Sequence, residues 1–186
     1  MIKQAKLNEV AQLYRDFIEP YFPEDEKKPL ECIERLVATG LYRILYIEED
    51  NQVCGVAFLT TYPDGELYLL DYLAVRVDLR SMGYGGKLLD ACREATDGRP
   101  ILIETESLES AADEAELALR KRRNQFYQRN GAVLTAVRSC VFGVEFNHWE
   151  LLGVENLDEE VIRQGIRDVY WFMLDNPVMF KKNVFV

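Results

Sequence analysis

Histidine and paired cysteines are almost missing from this chain: of 186 residues, one is histidine and four are cysteine. Cys32, Cys54, Cys92 and Cys140 are scattered without Cys-x-x-Cys spacing, and His148 has no companion, so no zinc site assembles and no metal is expected. Thiols placed this way are expected to be reduced and buried. A basic excess is missing as well. The 22 lysines and arginines face 32 aspartates and glutamates, a formal charge of −10, which argues against a nucleic-acid or anionic-membrane binder. No apolar run approaches the ~18 residues of a membrane span. Met1-Ile-Lys-Gln-Ala-Lys6 has no apolar signal core, so a cytoplasmic protein is expected. Repeats, low-complexity tracts and long linkers are also lacking, and a chain that is 48% hydrophobic can bury a real core. One domain spanning 1–186 is the expectation.

Two familiar glycine loops are absent too: the dinucleotide turn Gly-x-Gly-x-x-Gly and the P-loop, which needs Gly-Lys-Ser/Thr. A nucleotide-dependent oxidoreductase is disfavoured accordingly. What is present is Leu69-Leu-Asp-Tyr-Leu-Ala-Val75, then Arg80-Ser-Met-Gly-Tyr-Gly-Gly86, then Lys87-Leu-Leu-Asp-Ala-Cys-Arg93, which reads as strand, glycine-rich turn and helix start. Gly83, Gly85 and Gly86 put no side chains between backbone and ligand, so successive N–H groups at the helix N-terminus can converge on one anion. A glycine-rich helix cap that binds nothing is the alternative. Downstream, Phe126, Tyr127 and Gly131 close another helical stretch, with Ala132 after them.

Periodicity orders the rest. Val10, Leu13, Tyr14, Phe17 and Ile18 mark a first amphipathic helix ending near Pro20; Pro29 opens a second, with Leu30, Ile33, Leu36 and Val37 on its face and Gly40 as its stop. Residues 41–47 and 53–61 flank the polar turn 49–52 and predict a hairpin, with the strand 66–75 antiparallel beside it. Leu88, Leu89, Cys92 and Ala95 give the next helix its buried face. Residues 101–106 return as a strand, making a right-handed parallel crossover. A helix over 112–129, strands near 133–141 and 149–154, and a final helix with Val161, Ile162, Ile166, Val169, Tyr170 and Met173 on one face complete the pattern.

Arg80-x-x-Gly83-x-Gly85 after a strand ending Leu-Ala-Val resembles the coenzyme A loop of the GNAT superfamily of N-acetyltransferases, and Phe126-Tyr127-x-x-x-Gly131 is similar to a second segment of that family, which usually has an aromatic residue where this chain has Ala132. The resemblance implies an α/β fold: a mixed, mostly antiparallel central sheet with flanking helices, a splayed parallel strand pair at the CoA site and, here, an extra C-terminal helix. It also implies acetyl-CoA as the acyl donor, used as a cosubstrate, and direct acetyl transfer to a primary amine, either of a small molecule or of a protein. Backbone groups of Leu73, Ala74 and Val75 would pair with pantetheine, amides from Ser81, Met82, Gly83, Tyr84, Gly85 and Gly86 would hold pyrophosphate, and Arg80 would join them in binding the cofactor. Tyr127 becomes the candidate acid for the departing thiolate, with a packed core tyrosine as the alternative. Asp71, interrupting an apolar strand, becomes the candidate base, its burial raising its pKa; a carboxylate that bonds neighbouring backbone or orients a substrate cation is the competing account. Glu104 and Glu106 alternate to one side of their strand and could hold an ammonium, or form a solvated sheet end. Tyr21 and Phe22, with Glu24, Asp25 and Glu26 beyond, form a loop that in this family often covers the acceptor. Arg120-Lys-Arg-Arg123 could meet CoA phosphates or form a solvated helix face, and His148 reads as structural rather than as a base. A homodimer is left open, as is a second function, a non-catalytic acyl-CoA-binding or regulatory module.

Overall fold

The computed structural model describes residues 1–151 and 157–186, which pack as two compact units: residues 1–63 with 70–97, and residues 64–69 with 98–186. Among the described residues, eight strands and six helices form a mixed α/β fold.

Unit 1 runs through strand β1 (Ile2–Gln4), helices α1 (Leu7–Phe17) and α2 (Leu30–Ala38), strands β2 (Tyr42–Glu49), β3 (Gln52–Thr60) and β4 (Tyr68–Val75), and helix α3 (Tyr84–Ala95). The strands lie in the order β1-β2-β3-β4, with β1–β2 and β2–β3 antiparallel. The β2–β3 hairpin turns on Asp50 and Asn51, at φ 49° and 60°; two left-handed residues match the twist of the flanking strands in a two-residue turn. The expected stripe of the first helix is buried, with Val10, Leu13, Tyr14, Phe17 and Ile18; in the second, Ile33 and Leu36 are buried whereas Leu30 and Val37 are only half-buried. In α3, Leu88, Leu89 and Cys92 face the core together with Tyr84 and Ala91.

Unit 2 holds β5 (Ile101–Glu106), α4 (Glu114–Arg129), β6 (Ala132–Val141), β7 (Val144–Leu151), α5 (Glu159–Leu174), α6 (Pro177–Asn183) and β8 (Val184–Phe185). Its order β5-β7-β6-β8 is antiparallel throughout. The segment 64–69 belongs here, so β4 starts in this unit beside β5, the parallel pair of the fold. The Tyr68 N–H donates to the Pro100 carbonyl at 2.8 Å, and Arg99 donates to the Tyr68 hydroxyl at 2.6 Å and the Gly65 carbonyl at 3.0 Å. Asp113 and Asp158 cap α4 and α5 by accepting from Glu116 N–H and Glu160 N–H.

Several expectations need correction. β1 is three residues long, too short to show a period. The strand expected over 149–154 begins at Val144, after a turn on Phe142 and Gly143 at φ 50° and 82°; Asn147 and His148 hid it, polar residues that are nevertheless buried. Its expected end, 152–154, lies outside the described residues. The last expected helix is followed by another, because Asn176 and Pro177 form a helix start, with Pro177 in the first turn and the Asn176 side chain accepting from Val178 and Met179 N–H. Val161 is exposed rather than on the buried face. Cys54 and Cys92 are buried, whereas Cys32 and Cys140 are only half-buried.

Gly55 on β3 marks the tightest approach in unit 1. A Cβ there would lie 2.8 Å from the Ala74 carbonyl oxygen, 3.1 Å from Leu88 Cδ1 and 3.2 Å from Val75 Cγ2. Backbone cannot yield as a side-chain tip can, so Gly55→Ala should destabilise by about 1–3 kcal/mol. The midpoint of thermal unfolding should drop by roughly 2–4 °C per kcal/mol; an unchanged midpoint would show that β3, β4 and α3 have room to spare.

Candidate functional site

The loop between β4 and α3 is built from two left-handed residues at alternate positions, Ser81 at φ 66° and Gly83 at φ 89°. A short 3₁₀ turn, Val77–Leu79, leads into it, and the Arg76 N–H holds its base by donating to the Cys54 carbonyl at 2.9 Å. Gly83 is the residue preceding α3, and no side chain caps the helix. Backbone curled in this way directs N–H groups into one concavity, and the first-turn amides of a helix have no intrahelical acceptor. Nothing lies within 4 Å of a Cβ placed on Gly83, so the mouth of the loop is open. The donor set fits a pyrophosphate: neutral amides at the positive end of a helix. Among the predicted loop residues, Arg80 donates to the Val75 carbonyl at 3.4 Å and stacks its guanidinium 5.4 Å from the Tyr21 ring centroid. Tyr84 points the other way and donates to Glu49 at 2.7 Å, a bond that pushes its phenol up to about 12. Met82 is exposed.

Asp71, on β4, is 6% exposed at its side chain, and both oxygens are engaged. Lys28 Nζ reaches Oδ1 at 2.6 Å, and the Tyr42 hydroxyl donates to Oδ2 at 2.5 Å. Full burial, with the Asp71 charge adding to it, pushes the Tyr42 phenol far above its ordinary value, so it stays a neutral donor. Tyr72, also raised by burial, donates to the Glu26 carbonyl at 2.9 Å and accepts from the Lys28 N–H at 2.9 Å. Tyr21 and Phe22 follow α1; the Phe22 ring meets Tyr72 edge-on at 4.9 Å. Unit 1 therefore gathers the glycine loop, Leu73 to Val75, Asp71 and the two loop aromatics.

Tyr127, Glu104 and Glu106 belong to unit 2. Tyr127 is buried near the end of α4, edge-on to Phe126 at 5.2 Å. Glu104 accepts from the Tyr170 hydroxyl at 2.6 Å, and Glu106 pairs with Arg123. Arg120 is buried and donates to the Ser107 carbonyl, Ser110 and Glu116. Arg120 is thus spent inside the unit, whereas Arg123, half-buried, is paired at the surface.

Lys28, Tyr42 and Tyr72 carried no sequence signal. The tyrosines sit in apolar strands and read as core, and Lys28 lies in the run Glu26-Lys27-Lys28-Pro29. His148 is fully buried on β7, its Nε2 2.8 Å from Ser139 Oγ and its Nδ1 3.9 Å from Glu104 Oε1. Burial, aided by the positive charges of Arg138 and Arg163, pushes its imidazole down to about 3, so the Glu104 contact joins a neutral ring to a carboxylate and is no ion pair. Among the described residues, no group of three or more His, Cys, Asp or Glu could hold a metal, and no helix is long and apolar enough to cross a membrane.

Residues 40–131 match the family model described as acetyltransferase (GNAT) domain. An amino-acid acetyltransferase of Vibrio atlanticus (strain LGP32) is 27% identical over 146 residues, which are 72% of this chain and 32% of that protein, so the chain spans about a third of the length of this curated relative. Among solved structures, a protein described as a GNAT-family acetyltransferase from Bacteroides thetaiotaomicron aligns with a TM-score of 0.70 at 23% identity, covering 89% of this chain and 93% of its own. An aminoglycoside 6′-N-acetyltransferase complexed with coenzyme A aligns at 0.59 and 12% identity, covering 85% and 99%. These structural likenesses establish the fold.

The depressed imidazole of His148 sets an acid limb of stability. The unfolded chain takes a proton below its ordinary value of 6.5 while the folded state holds the ring neutral until about 3, so stability should fall with pH across that window by up to about 1.4 kcal/mol per pH unit. His148→Gln should flatten the slope of unfolding free energy against pH between about 6 and 4 by nearly one proton. Parallel slopes for variant and parent would mean that His148 ionises freely in the folded state.

Proposed function

Because this chain belongs to the GNAT superfamily of acetyltransferases, we propose that it is an N-acyltransferase that moves an acetyl group from acetyl-CoA directly to a primary amine. The observation that carries the reading is the open, uncapped N-terminus of α3 behind the left-handed Gly83, on a segment inside the match to the family model. Amides from Ser81 to Gly86 hold the donor's pyrophosphate, and the Leu73, Ala74 and Val75 backbone aligns its pantetheine arm. Positioning of this kind, together with hydrogen-bond donors aimed at developing charge, is what thioester aminolysis needs. Tyr127 protonates the leaving thiolate, a role resting on the sequence resemblance alone, and Asp71 acts on the acceptor's ammonium. The Vibrio relative's name supports a small acceptor such as an amino acid, and the CoA-bound aminoglycoside enzyme supports CoA as carrier. Glu106 is engaged by Arg123, Glu104 by Tyr170 and Asp71 by Lys28 and Tyr42, so an incoming ammonium has to displace a partner at any of the three, and Asp71 is preferred because it lies on the strand that carries Leu73 to Val75.

A non-catalytic module is favoured by one observation, the occupation of both Asp71 oxygens. Turnover decides between the two.

Acetyl-CoA at a hundredfold excess over its Kd should stabilise the fold by about 2.7 kcal/mol. Gly83→Asp, which adds a carboxylate to the open mouth of the loop, should abolish the thermal shift; equal shifts in variant and parent would remove the loop from donor binding. Tyr127→Phe should lower kcat roughly 10²-fold with donor affinity preserved, and unchanged kcat would leave Tyr127 as packing. Asp71→Asn should lose kcat/KM near neutral pH and regain part of it toward about pH 9 as free amine accumulates. A loss that alkali does not relieve identifies Asp71 as an anchor rather than a base.

A further inference from the structure

We infer that Lys28 is an internal acceptor: its ε-amine occupies Asp71 in place of an incoming ammonium and is acetylated in cis by the bound donor. This rests on the acetyl-CoA-dependent reading of the site. It adds to that reading a residue of the chain itself as substrate.

The geometry begins with a lysine held at unusual precision for its type. Lys28 main chain is fixed on both sides, its N–H donating to the Tyr72 hydroxyl at 2.9 Å and its carbonyl accepting from the Tyr14 hydroxyl at 2.7 Å. Its Nζ then lies 2.6 Å from Asp71 Oδ1 and 5.3 Å from the Tyr72 ring centroid, with 23% of the side chain exposed. An ammonium between a carboxylate and an aromatic face is how an amine would be bound from solution. Asp71 is two residues before Leu73, about 7 Å along the strand at some 3.3 Å per residue, so the carboxylate that holds Nζ shares its strand with the residues on which the donor would be aligned. A nucleophile held beside a thioester has a large effective concentration. Lys181 and Lys182, exposed on α6, have no such anchoring among the contacts described.

The step balances without a further reagent. The Lys28 ammonium gives one proton to water, the neutral Nζ attacks the thioester carbonyl, the N–C bond forms and the C–S bond breaks. The thiolate takes up a proton and leaves as free CoA, and Nε-acetyl-Lys28 remains. Acetylation removes the lysine charge, so the Lys28–Asp71 ion pair is lost and the carboxylate is released to an external amine. The modification would thus occur once per molecule and convert an occupied acceptor site into an open one.

The test uses the full chain with acetyl-CoA and no added acceptor, read by intact mass and by peptide mapping. One acetyl group, about 42 Da, should appear on the peptide bearing Lys28. Its rate should be first-order and independent of protein concentration, and at least about tenfold faster than at Lys181 or Lys182. Lys28→Arg, which keeps the charge on Asp71, and Gly83→Asp, which blocks the donor, should each remove this rapid label. Labelling of Lys28 no faster than of Lys181 and Lys182 would overturn the inference as ordinary solution chemistry. Heat protection by acetyl-CoA without a label on Lys28 would overturn it while sparing the transferase reading. Neither protection nor label would remove both.

Discussion

A carboxylate buried within an apolar strand has to be neutralised by its neighbours, and in unit 1 that requirement governs the approach to the candidate site. Asp71 is answered by the Lys28 ammonium and the Tyr42 hydroxyl. Because Lys28 comes from the segment between α1 and α2, the ion pair ties that segment to β4. Tyr72 and Tyr14 reinforce the tie through main-chain groups of Glu26 and Lys28. Breaking a buried pair by removing one partner commonly costs about 3–5 kcal/mol because the other charge is stranded. The loop carrying Tyr21 and Phe22 is therefore set by electrostatics at one end and by ring contacts, Phe22 on Tyr72 and Arg80 on Tyr21, along its length.

Two glycines shape the same unit by different means. Gly83 is needed for its backbone angle, since the space around it is empty, whereas Gly55 is needed for its lack of a side chain, since the Ala74 carbonyl and Leu88 close in on it. One keeps amides open toward solvent and the other lets β3, β4 and α3 pack without a gap. Loop chemistry and sheet packing thus meet over the few residues from Ala74 to Leu88.

The elements legible in the sequence are those whose signal is local. Three glycines after an apolar strand marked the loop, and i, i+3, i+4 stripes marked α1, α2 and α3. The partners of Asp71 were illegible because the contact joins residues 43 positions apart, and a lysine beside a proline has no period to betray it. Arg123 and Glu106 illustrate the same limit, since each alone looked like a group for a ligand and together they answer one another. His148 and Asn147 concealed β7 because polar residues in a strand read as solvent-facing until a hydrogen bond to Ser139 explains one of them. The Asn176-Pro177 pair shows that one proline can end one helix and begin the next, a choice that depends on whether the preceding side chain turns back to cap it.

The division of the chain also has a consequence for its synthesis. Unit 1 takes its residues from 1–63 and 70–97, but the segment 64–69 belongs with 98–186, and Leu67 fills the space beside Gly165, where a Cβ would meet Leu67 Cδ2 at 2.4 Å. On a ribosome adding about 5–20 residues per second, roughly 5 to 20 s separate the emergence of Leu67 from that of its partner on α5. During that interval Leu67, buried in the folded chain, lacks the helix that covers it, so packing of the six residues 64–69 has to wait for α5.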